Sequence, residues 1–192
     1  MKNIILANSL ALLVACDLPN EENSSAELID GEVIMENFDT NNLLNWNIVN
    51  DTVMGGRSQA RLELKRGSYA NFNGYLSLKN NGGFSSIRAY YPPDLANVKS
   101  ILIKIRGDGR RYNFRIRGNT SNWASYTQSF DTIKGEWIEK ELIIDDFYPV
   151  YRGYSLKNMP LLSEIIIKEI GIMISDKTEG PFNIEIDWIK AK

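Results

Sequence analysis

The sequence predicts an all-β domain built as a sandwich of two sheets. From about Val33 onward, short runs alternate between apolar and polar residues, which is the period of a strand with one buried face. Gly, Asn, Asp and Pro interrupt these runs at close intervals, as in proteins with many short strands joined by turns. No stretch of a dozen residues has a convincing helical period. Together these three observations favour a two-sheet β-sandwich.

Individual strands are predicted from the alternating runs, and the clearest pair lies in the middle of the chain. Ile101–Arg106 and Tyr112–Arg117 both alternate, and Gly107-Asp108-Gly109 lies between them. An Asp-Gly turn between two such runs predicts a β-hairpin. The other predicted strands are Ala60–Leu64, Gly74–Leu78, Ser85–Tyr90, Tyr126–Phe130, Trp137–Ile144, Ile165–Ile174 and Phe182–Trp188. Short helical turns are expected near Asp94–Val98 and Pro160–Glu164.

Composition excludes several classes of function. The 192 residues include 22 Lys and Arg, 24 Asp and Glu, one Cys and no His. Without His, the chain has no Ser-His-Asp or Cys-His catalysis and no His-ligated zinc or haem. A single Cys excludes an internal disulfide and a multi-cysteine metal cluster. The net charge of −2 gives no bulk attraction to nucleic acid, so no nucleic-acid partner is expected.

The first residues have the pattern of an export signal. Residues 1–15 join a basic start to an apolar stretch too short to span a bilayer, and Leu13-Val14-Ala15-Cys16 resembles the lipobox of bacterial lipoproteins. The resemblance implies lipidation of Cys16 with palmitate-type chains and anchoring to a cell-envelope membrane, facing the periplasm or the outside. Asp17 favours the inner membrane, residues 16–32 form a polar tether, and 33–192 form the sandwich domain. The alternatives are a chance Cys after an ordinary signal peptide, or a buried apolar Cys.

Several segments are neither plain strand nor plain turn. They are Asn50–Ser58, Asn80–Ser86, Arg106–Tyr112 and Glu179–Phe182. Paired glycines in these segments permit positive φ or the close approach of another group, and nearby Asn and Asp side chains close local turns. Two interpretations remain open: the segments are shaped turns of the sandwich, or they form a polar rim around a binding site.

Basic residues near the predicted hairpin suggest one further surface. If the hairpin forms, Lys104 and Arg106 share a sheet face with Arg115 and Arg117. That face is either an ordinary solvated surface or a basic concave surface that grips acidic groups of a partner or ligand.

Carboxylates are numerous, but no pair has a spacing typical of acid–base catalysis. One metal site is conceivable: a calcium ion held by Glu36, Asp39 and Asp187, because Ca²⁺ prefers oxygen ligands. No other cofactor is expected from the sequence.

The order of the unusual segments resembles that of the complex I intermediate-associated protein 30 family, along almost all of residues 34–191. The matching segments are Trp46 with Val49–Ser58, Leu76–Phe84, Arg106–Tyr112, Tyr151–Gly153, and Gly171–Lys177 with Glu179–Phe182. The resemblance implies a galactose-binding-like jelly-roll sandwich related to carbohydrate-binding module family 11. It also implies a non-catalytic binding character, since the eukaryotic members are chaperones that bind assembly intermediates of respiratory complex I.

The leading expectation is therefore a membrane-anchored, assembly-factor-like protein that binds a protein partner. The residues expected to bind are Asn50, Asp51, Met54, Asn80, Asn81, Arg106, Asp108, Arg111, Tyr112, Arg152 and Glu179. The alternative is a module on the cell envelope that binds carbohydrate or another polar ligand through an aromatic platform. Candidates for that platform are Tyr90, Tyr91, Trp123, Tyr126 and Tyr154. An enzyme is the third alternative and has no motif to support it.

Overall fold

The computed structural model describes residues 28–29, 31–39, 44–65, 69–91, 98–119 and 123–192, which form the predicted two-sheet β-sandwich. The strands are β1 (Leu28–Ile29), β2 (Glu32–Glu36), β3 (Trp46–Asn50), β4 (Gln59–Lys65), β5 (Tyr69–Leu76), β6 (Ser85–Tyr90), β7 (Ser100–Arg106), β8 (Arg111–Gly118), β9 (Ser125–Asp131), β10 (Trp137–Ile143), β11 (Tyr148–Tyr151), β12 (Tyr154–Ser155), β13 (Ile167–Ile174) and β14 (Gly180–Ala191). In the described part of the chain, four short 3₁₀ turns connect the strands: η1 (Asp51–Met54), η2 (Lys79–Asn81), η3 (Ile144–Asp146) and η4 (Leu162–Glu164).

Each sheet has seven strands, and the pairs are antiparallel. In sheet A, the long strand β14 pairs with β7 along one edge and with β5 and β2 along the other, and β10, β4 and β1 extend the sheet. Sheet B runs in the order β12-β11-β9-β8-β13-β6-β3. In sheet B, β8, β13 and β6 therefore lie near the middle, with β12 and β3 at the edges.

The core lies between the sheets and is made by alternate residues of the central strands. Sheet A contributes fully buried Phe72 and Ile103, and sheet B contributes fully buried Phe114 and Ile172. Because burying one such side chain contributes about 1.5–3 kcal/mol, these strands are the most firmly held part of the fold. The outward-facing residues between them are thereby presented on a rigid surface.

The predicted β-hairpin at residues 101–117 is wrong. Strand β7 pairs with β10 and β14 in sheet A, whereas β8 pairs with β9 and β13 in sheet B, so residues 107–110 cross between the sheets. Both strands bury their alternate apolar residues in the same core, which they reach from opposite sides. Asp108 fixes the crossing, since its carboxylate accepts hydrogen bonds from the Tyr112 hydroxyl at 3.1 Å and the Asn183 amide at 2.8 Å.

The shared basic face expected from that hairpin is wrong for the same reason. Lys104 and Arg106 lie on the outer face of sheet A, where they pair with Asp187 and Glu185. Residues 115 and 117 lie instead on the outer face of sheet B. The basic residues therefore belong to two opposite surfaces of the sandwich.

Other predicted elements are mostly confirmed, with shifted ends. The predicted strand Gly74–Leu78 corresponds to β5, which begins earlier, at Tyr69, and ends at Leu76. Gly74 therefore lies inside a strand, where a Cβ would overlap the Gln59 carbonyl of β4. Strands β2, β3 and β11 were not predicted, since each has at most two buried residues and no clear alternation.

The turn expected near Pro160–Glu164 is confirmed by η4. Residues 94–97 of the other expected turn lie outside the described residues, as do residues 1–15, Cys16, Asp17 and most of the tether. Within the described ranges, no helix is long and apolar enough to cross a membrane.

Candidate functional site

A groove of about 750 Å³ lies on the outer face of sheet B. Strands β6, β8 and β13 form its floor. The turns η1 and η2, which adjoin the edge strand β3 and the start of β6, bound one side. Strands β11 and β12, together with Trp123, bound the other side. Its volume is in the range of ordinary ligand-binding clefts.

The groove is strongly basic, although the chain as a whole is slightly acidic. No Asp or Glu is among the described residues that line it. Its cationic side chains are Arg88, Arg115, Arg117, Arg152 and Lys177. The first three project from the floor strands β6 and β8, so the positive charge is concentrated at the bottom of the groove.

Arg115 is the most deeply placed of these cations. Its guanidinium donates hydrogen bonds to the Met173 sulfur at 2.7 Å and to the Ser125 hydroxyl, both uncharged acceptors. Burial, followed by the positive charges of Arg88 and Arg117, lowers the pKa of Arg115 to about 10. Arg115 stays charged at neutral pH, but the fold holds that charge in an unfavourable place.

The positive charges of the neighbouring Arg88 and Arg117 are only weakly compensated by nearby groups. Arg88 donates from Nε to the Ser86 hydroxyl at 3.2 Å, and burial together with the charge of Arg117 lowers the pKa of Arg88. Arg117 has one carboxylate nearby, that of Glu169, at 3.6 Å. Among the described residues, neither Arg88 nor Arg115 has a carboxylate oxygen within 4 Å of its guanidinium.

The walls of the groove are apolar and aromatic. Val53 and Met54 of η1 are 71% and 54% exposed on one side. On the other, the rings of Trp123 and Tyr151 meet edge to face with centroids 5.3 Å apart, and the Arg152 guanidinium lies 5.3 Å from the Tyr151 ring. Exposed apolar side chains next to arginines are typical of surfaces that bind partners.

Asp51 organises the wall that carries η1. The side chain is fully buried, and its carboxylate accepts hydrogen bonds from the Ser58 amide at 2.9 Å, the Ser58 hydroxyl at 2.6 Å, and the amides of Gly83 at 2.6 Å and Phe84 at 3.3 Å. Burial alone would raise the pKa of Asp51, but these hydrogen bonds outweigh it and hold the pKa below the ordinary value of 3.8. Asp51 thus joins the segment after β3 to the segment before β6.

Two glycines of the unusual segments pack directly against this carboxylate and leave no space for a side chain. A Cβ on Gly56 would overlap the Asp51 side chain, and a Cβ on Gly82 would lie 2.5 Å from its Oδ2 atom. One glycine of each pair that suggested a binding rim is therefore required by packing against Asp51, and its neighbour, Gly55 or Gly83, has a positive φ.

The structure divides the predicted binding residues into three groups. Met54, Asn81 and Arg152 line the groove. Arg106 and Arg111 lie elsewhere and form ion pairs with Glu185 and Asp131. The others direct their side chains into turns or the core: Asn50, Asp51, Asn80, Asp108, Tyr112 and Glu179. A role for any of these residues in binding stays a prediction.

The aromatic candidates for a sugar platform are also dispersed. Trp123 lines the groove, Tyr91 and Tyr126 are buried, and Tyr90 and Tyr154 are exposed outside the groove lining. Sequence reasoning missed Arg88, Tyr148, Tyr151 and Met173, which line the groove. Tyr151 and Met173 lie in segments that resemble the family, whereas the only signal for Arg88 and Tyr148 was an outward position beside a buried residue in a strand, which many surface residues share.

The calcium site that the sequence made conceivable is not assembled among the described residues. The Glu36 carboxylate accepts hydrogen bonds from the Phe38 amide at 2.7 Å, the Leu44 amide at 2.9 Å and the Trp46 indole at 2.8 Å, which stabilises the loop after β2. Asp187 pairs with Lys104 instead. Within the part of the chain that the structure describes, no three Asp, Glu, Cys or His side chains are grouped to hold a metal ion.

Comparison with known sequences gives one family. The model of the family described as complex I intermediate-associated protein 30 matches residues 36–186. The mouse mitochondrial complex I intermediate-associated protein 30 is 25% identical over 190 residues, which cover 82% of this chain and 57% of the relative. A probable mitochondrial homologue from Caenorhabditis elegans is 26% identical over 121 residues, which cover 60% of this chain and 36% of that protein. The chain thus spans little more than half of these relatives, or less.

Comparison with solved structures supports the fold. The family 11 carbohydrate-binding module of the Clostridium thermocellum cellulase Lic26A-Cel5E superposes with a TM-score of 0.63 at 18% identity, over 84% of this chain and 94% of the module. A family 11 module from the same organism, in complex with a β-1,3-1,4-mixed-linked tetrasaccharide, gives 0.59 at 17% identity, over 83% and 94% of the two chains. The agarase AgWH50C gives 0.57 at 10% identity, over 84% of this chain and 24% of the enzyme. These similarities establish a galactose-binding-like jelly roll.

Proposed function

The chain belongs to the complex I intermediate-associated protein 30 family, and on this premise we propose that it is a non-catalytic, assembly-factor-like protein that holds a protein partner in the groove of sheet B. The family relation supports a role linked to assembly, and the groove is the surface best suited to it. The chain has no His, and no Asp or Glu is among the described residues that line the groove.

The observation that carries this proposal is the composition of the groove walls. Val53, Met54, Trp123 and Tyr151 are exposed beside arginines, and Trp, Tyr, Met and Arg are the residue types enriched where proteins bind proteins. Methionine side chains are flexible and adapt to varied partner surfaces.

A site-specific photocrosslinking experiment tests the proposal in intact cells. A photoreactive phenylalanine analogue replaces Tyr151 or Met54 in the groove, and Tyr75, an exposed residue on sheet A, is the matched control. We expect a discrete adduct from both groove positions and none from the control. Failure of both groove positions, or an equal adduct from position 75, would show that the groove is not the binding surface.

We also propose that Cys16 carries the lipid anchor, with residues 16–32 as the tether, so that the domain works at a cell-envelope membrane. The lipobox-like order of Leu13-Val14-Ala15-Cys16 supports this. Fractionation of cells fed a labelled fatty acid tests it with wild type and Cys16→Ala. We expect label in the membrane fraction for wild type only. A wild-type chain that is unlabelled, with its first fifteen residues intact, would contradict the anchor.

Carbohydrate is a second candidate ligand, because the aromatic pair Trp123 and Tyr151 lies in the groove of a fold similar to a module solved with a mixed-linked tetrasaccharide. Against it, the two rings meet at 85° and so offer one stacking face rather than a flat platform. Tryptophan fluorescence across a panel of glycans tests this candidate. Trp123→Ala should abolish any quenching, whereas Trp137→Ala on sheet A should not, and a flat response to all glycans would dismiss it.

A further inference from the structure

Three neighbouring strands place two arginines around a glycine on the groove floor. Gly171 of β13 lies opposite Arg88 of β6 on one side and opposite Arg115 of β8 on the other. Adjacent strands are about 4.8 Å apart, so the two arginine backbones are about 10 Å apart, with no side chain between them. A Cβ on Gly171 would lie 2.6 Å from the Ile87 carbonyl oxygen and 3.2 Å from Arg88 Cγ, so the Arg88 stem leans over the glycine.

In this arrangement neither Arg88 nor Arg115 forms an ion pair within 4 Å among the described residues, and the negative charge of Glu169 acts on both only from a longer distance. Among the described residues, the hydrogen-bond acceptors of Arg88 and Arg115 are hydroxyl groups and a thioether, and the one nearby carboxylate, Glu169, faces Arg117 at 3.6 Å. A guanidinium has five N–H donors in a planar fork that fits a carboxylate with two parallel hydrogen bonds. Both guanidinium groups therefore line the groove with no described carboxylate close enough to accept two parallel hydrogen bonds from either of them.

From this geometry we infer that Arg88 and Arg115 form a carboxylate-binding site, and that its occupant is an Asp or Glu side chain of a partner protein. The inference rests on the proposed function, since it identifies which feature of the partner the groove selects. Charge complementarity is the first argument: the lining has five cations and, among the described residues, no acid. The apolar walls are the second argument, because Val53 and Met54 fit the apolar neighbours of an acidic residue in a peptide better than the hydroxyls of a sugar.

The position of Arg88 and Arg115 on neighbouring parts of sheet B fixes the spacing of the two groups. Both arginines lie on central strands whose opposite faces are fully buried, so the distance between their backbones is fixed before a ligand arrives. Preorganised donors bind an anion without a further ordering cost. Because Gly171 has no side chain, the stem of Arg88 can lie over it.

A peptide pair tests the inference on the full chain in a mild non-ionic detergent. The probes are Ac-Leu-Phe-Glu-Phe-Leu-amide and its Gln twin, and the readout is the NMR signal of each arginine Nε–H during titration. We expect the Glu peptide to shift the signals of Arg88 and Arg115 and to bind at least about tenfold more tightly than the Gln peptide, the effect of one hydrogen bond to a charged group. In Arg115→Gln and Arg88→Gln that preference should disappear.

Arg61→Gln is the matched control, because Arg61 is an exposed arginine of strand β4 in sheet A and does not line the groove. It should keep the full preference for the Glu peptide. Equal binding of the two peptides, no shift of either arginine at millimolar peptide, or equal loss in all three variants would overturn the inference. Tighter binding of polyglucuronate than of the Glu peptide, dependent on Arg115, would also overturn it and would assign the site to acidic polysaccharide.

The photocrosslinking experiment separates this inference from the proposed function. If adducts at positions 54 and 151 form equally well in Arg88→Gln and Arg115→Gln chains, the groove binds a partner but the arginines do not select it. If chains with the photoreactive residue at position 54 or 151 and both arginines intact give no adduct, the proposed function itself fails.

Discussion

Replacing Asp51 with Asn keeps the size of the side chain but changes the hydrogen bonds that it can accept. The carboxylate accepts four hydrogen bonds, one at Oδ1 from the Ser58 amide and three at Oδ2 from the Ser58 hydroxyl and the amides of Gly83 and Phe84. An asparagine with its oxygen in the Oδ2 position keeps the three bonds without their charge assistance. Its NH₂ group then faces the Ser58 N–H, so two donors meet in a buried place.

The magnitude follows from these contacts. Loss of a hydrogen bond to a charged group costs about 1.5–3 kcal/mol, and the three that remain are weakened. We therefore expect the free energy of unfolding to fall by about 3–4 kcal/mol, a large part of the 5–15 kcal/mol typical of a domain. For a chain of this length, each kcal/mol shifts the Tm by about 2–4 °C, so the Tm should fall by about 10 °C.

The difference in Tm between wild type and Asp51→Asn should also depend on pH. Because the folded pKa of Asp51 is below 3.8, the ionised side chain stabilises the fold above that pH, and the benefit is lost as the pH falls through the folded pKa. The gap in Tm between wild type and Asp51→Asn should thus be full at pH 7 and narrow below pH 3.8. Thermal denaturation followed by near-UV circular dichroism measures both.

Asp131→Asn is the control, because Asp131 is an exposed aspartate whose partner is a surface arginine. Exposed ion pairs contribute little, so its Tm should stay close to that of wild type. If Asp51→Asn melts within 2 °C of wild type, or if its deficit does not change with pH, the account of Asp51 as the link between two turns is refuted.

Three further substitutions test other parts of the structure. Arg110→Lys should lower the free energy of unfolding by about 2 kcal/mol in urea titrations, because lysine cannot reproduce the fork that Arg110 makes with Asp176 at 2.6 and 2.9 Å. Gly82→Ala should lower it by about 1–3 kcal/mol in the same assay, since its Cβ would meet the Asp51 carboxylate. Arg115→Met should raise the Tm by a few degrees, because it removes a buried like charge, and it should also abolish the preference for the Glu peptide over the Gln peptide; a lower Tm would contradict it.

The fold could be predicted from the sequence where one strand face is buried. The alternation of Ile101, Ile103 and Ile105 identified β7, and that of Tyr112, Phe114 and Ile116 identified β8, because both strands bury every second residue. The connection between them could not be predicted. An Asp-Gly turn is compatible with a chain reversal within one sheet and with a crossing between two sheets, and the long-range pairing with β14 and β13 decides which occurs.

The candidate site was harder to predict for a related physical reason. The segments with the most unusual composition were the ones around Asp51, where glycines and hydrogen-bonding side chains solve a local packing problem. Groove-lining residues such as Arg88 and Tyr148 occupy single outward positions on separate strands, so no continuous motif marks them. Only Met54, Asn81 and Arg152 of the predicted binding residues line the groove, and each lies on or next to a turn.

The wall held by Asp51 and the arginines on the floor of the groove make opposite contributions to the stability of the fold. The charge of the Asp51 carboxylate is stabilised by four hydrogen bonds from neutral donors, so the wall it holds is explained by folding alone. The arginines on the floor gain hydroxyl and thioether contacts but repel one another, and a methionine or glutamine in place of Arg115 would satisfy the fold as well. Groups that a fold accommodates at a loss of stability are typical of binding sites. An anion that enters the groove would convert that repulsion into attraction, so ligand binding and the stability of sheet B should rise together.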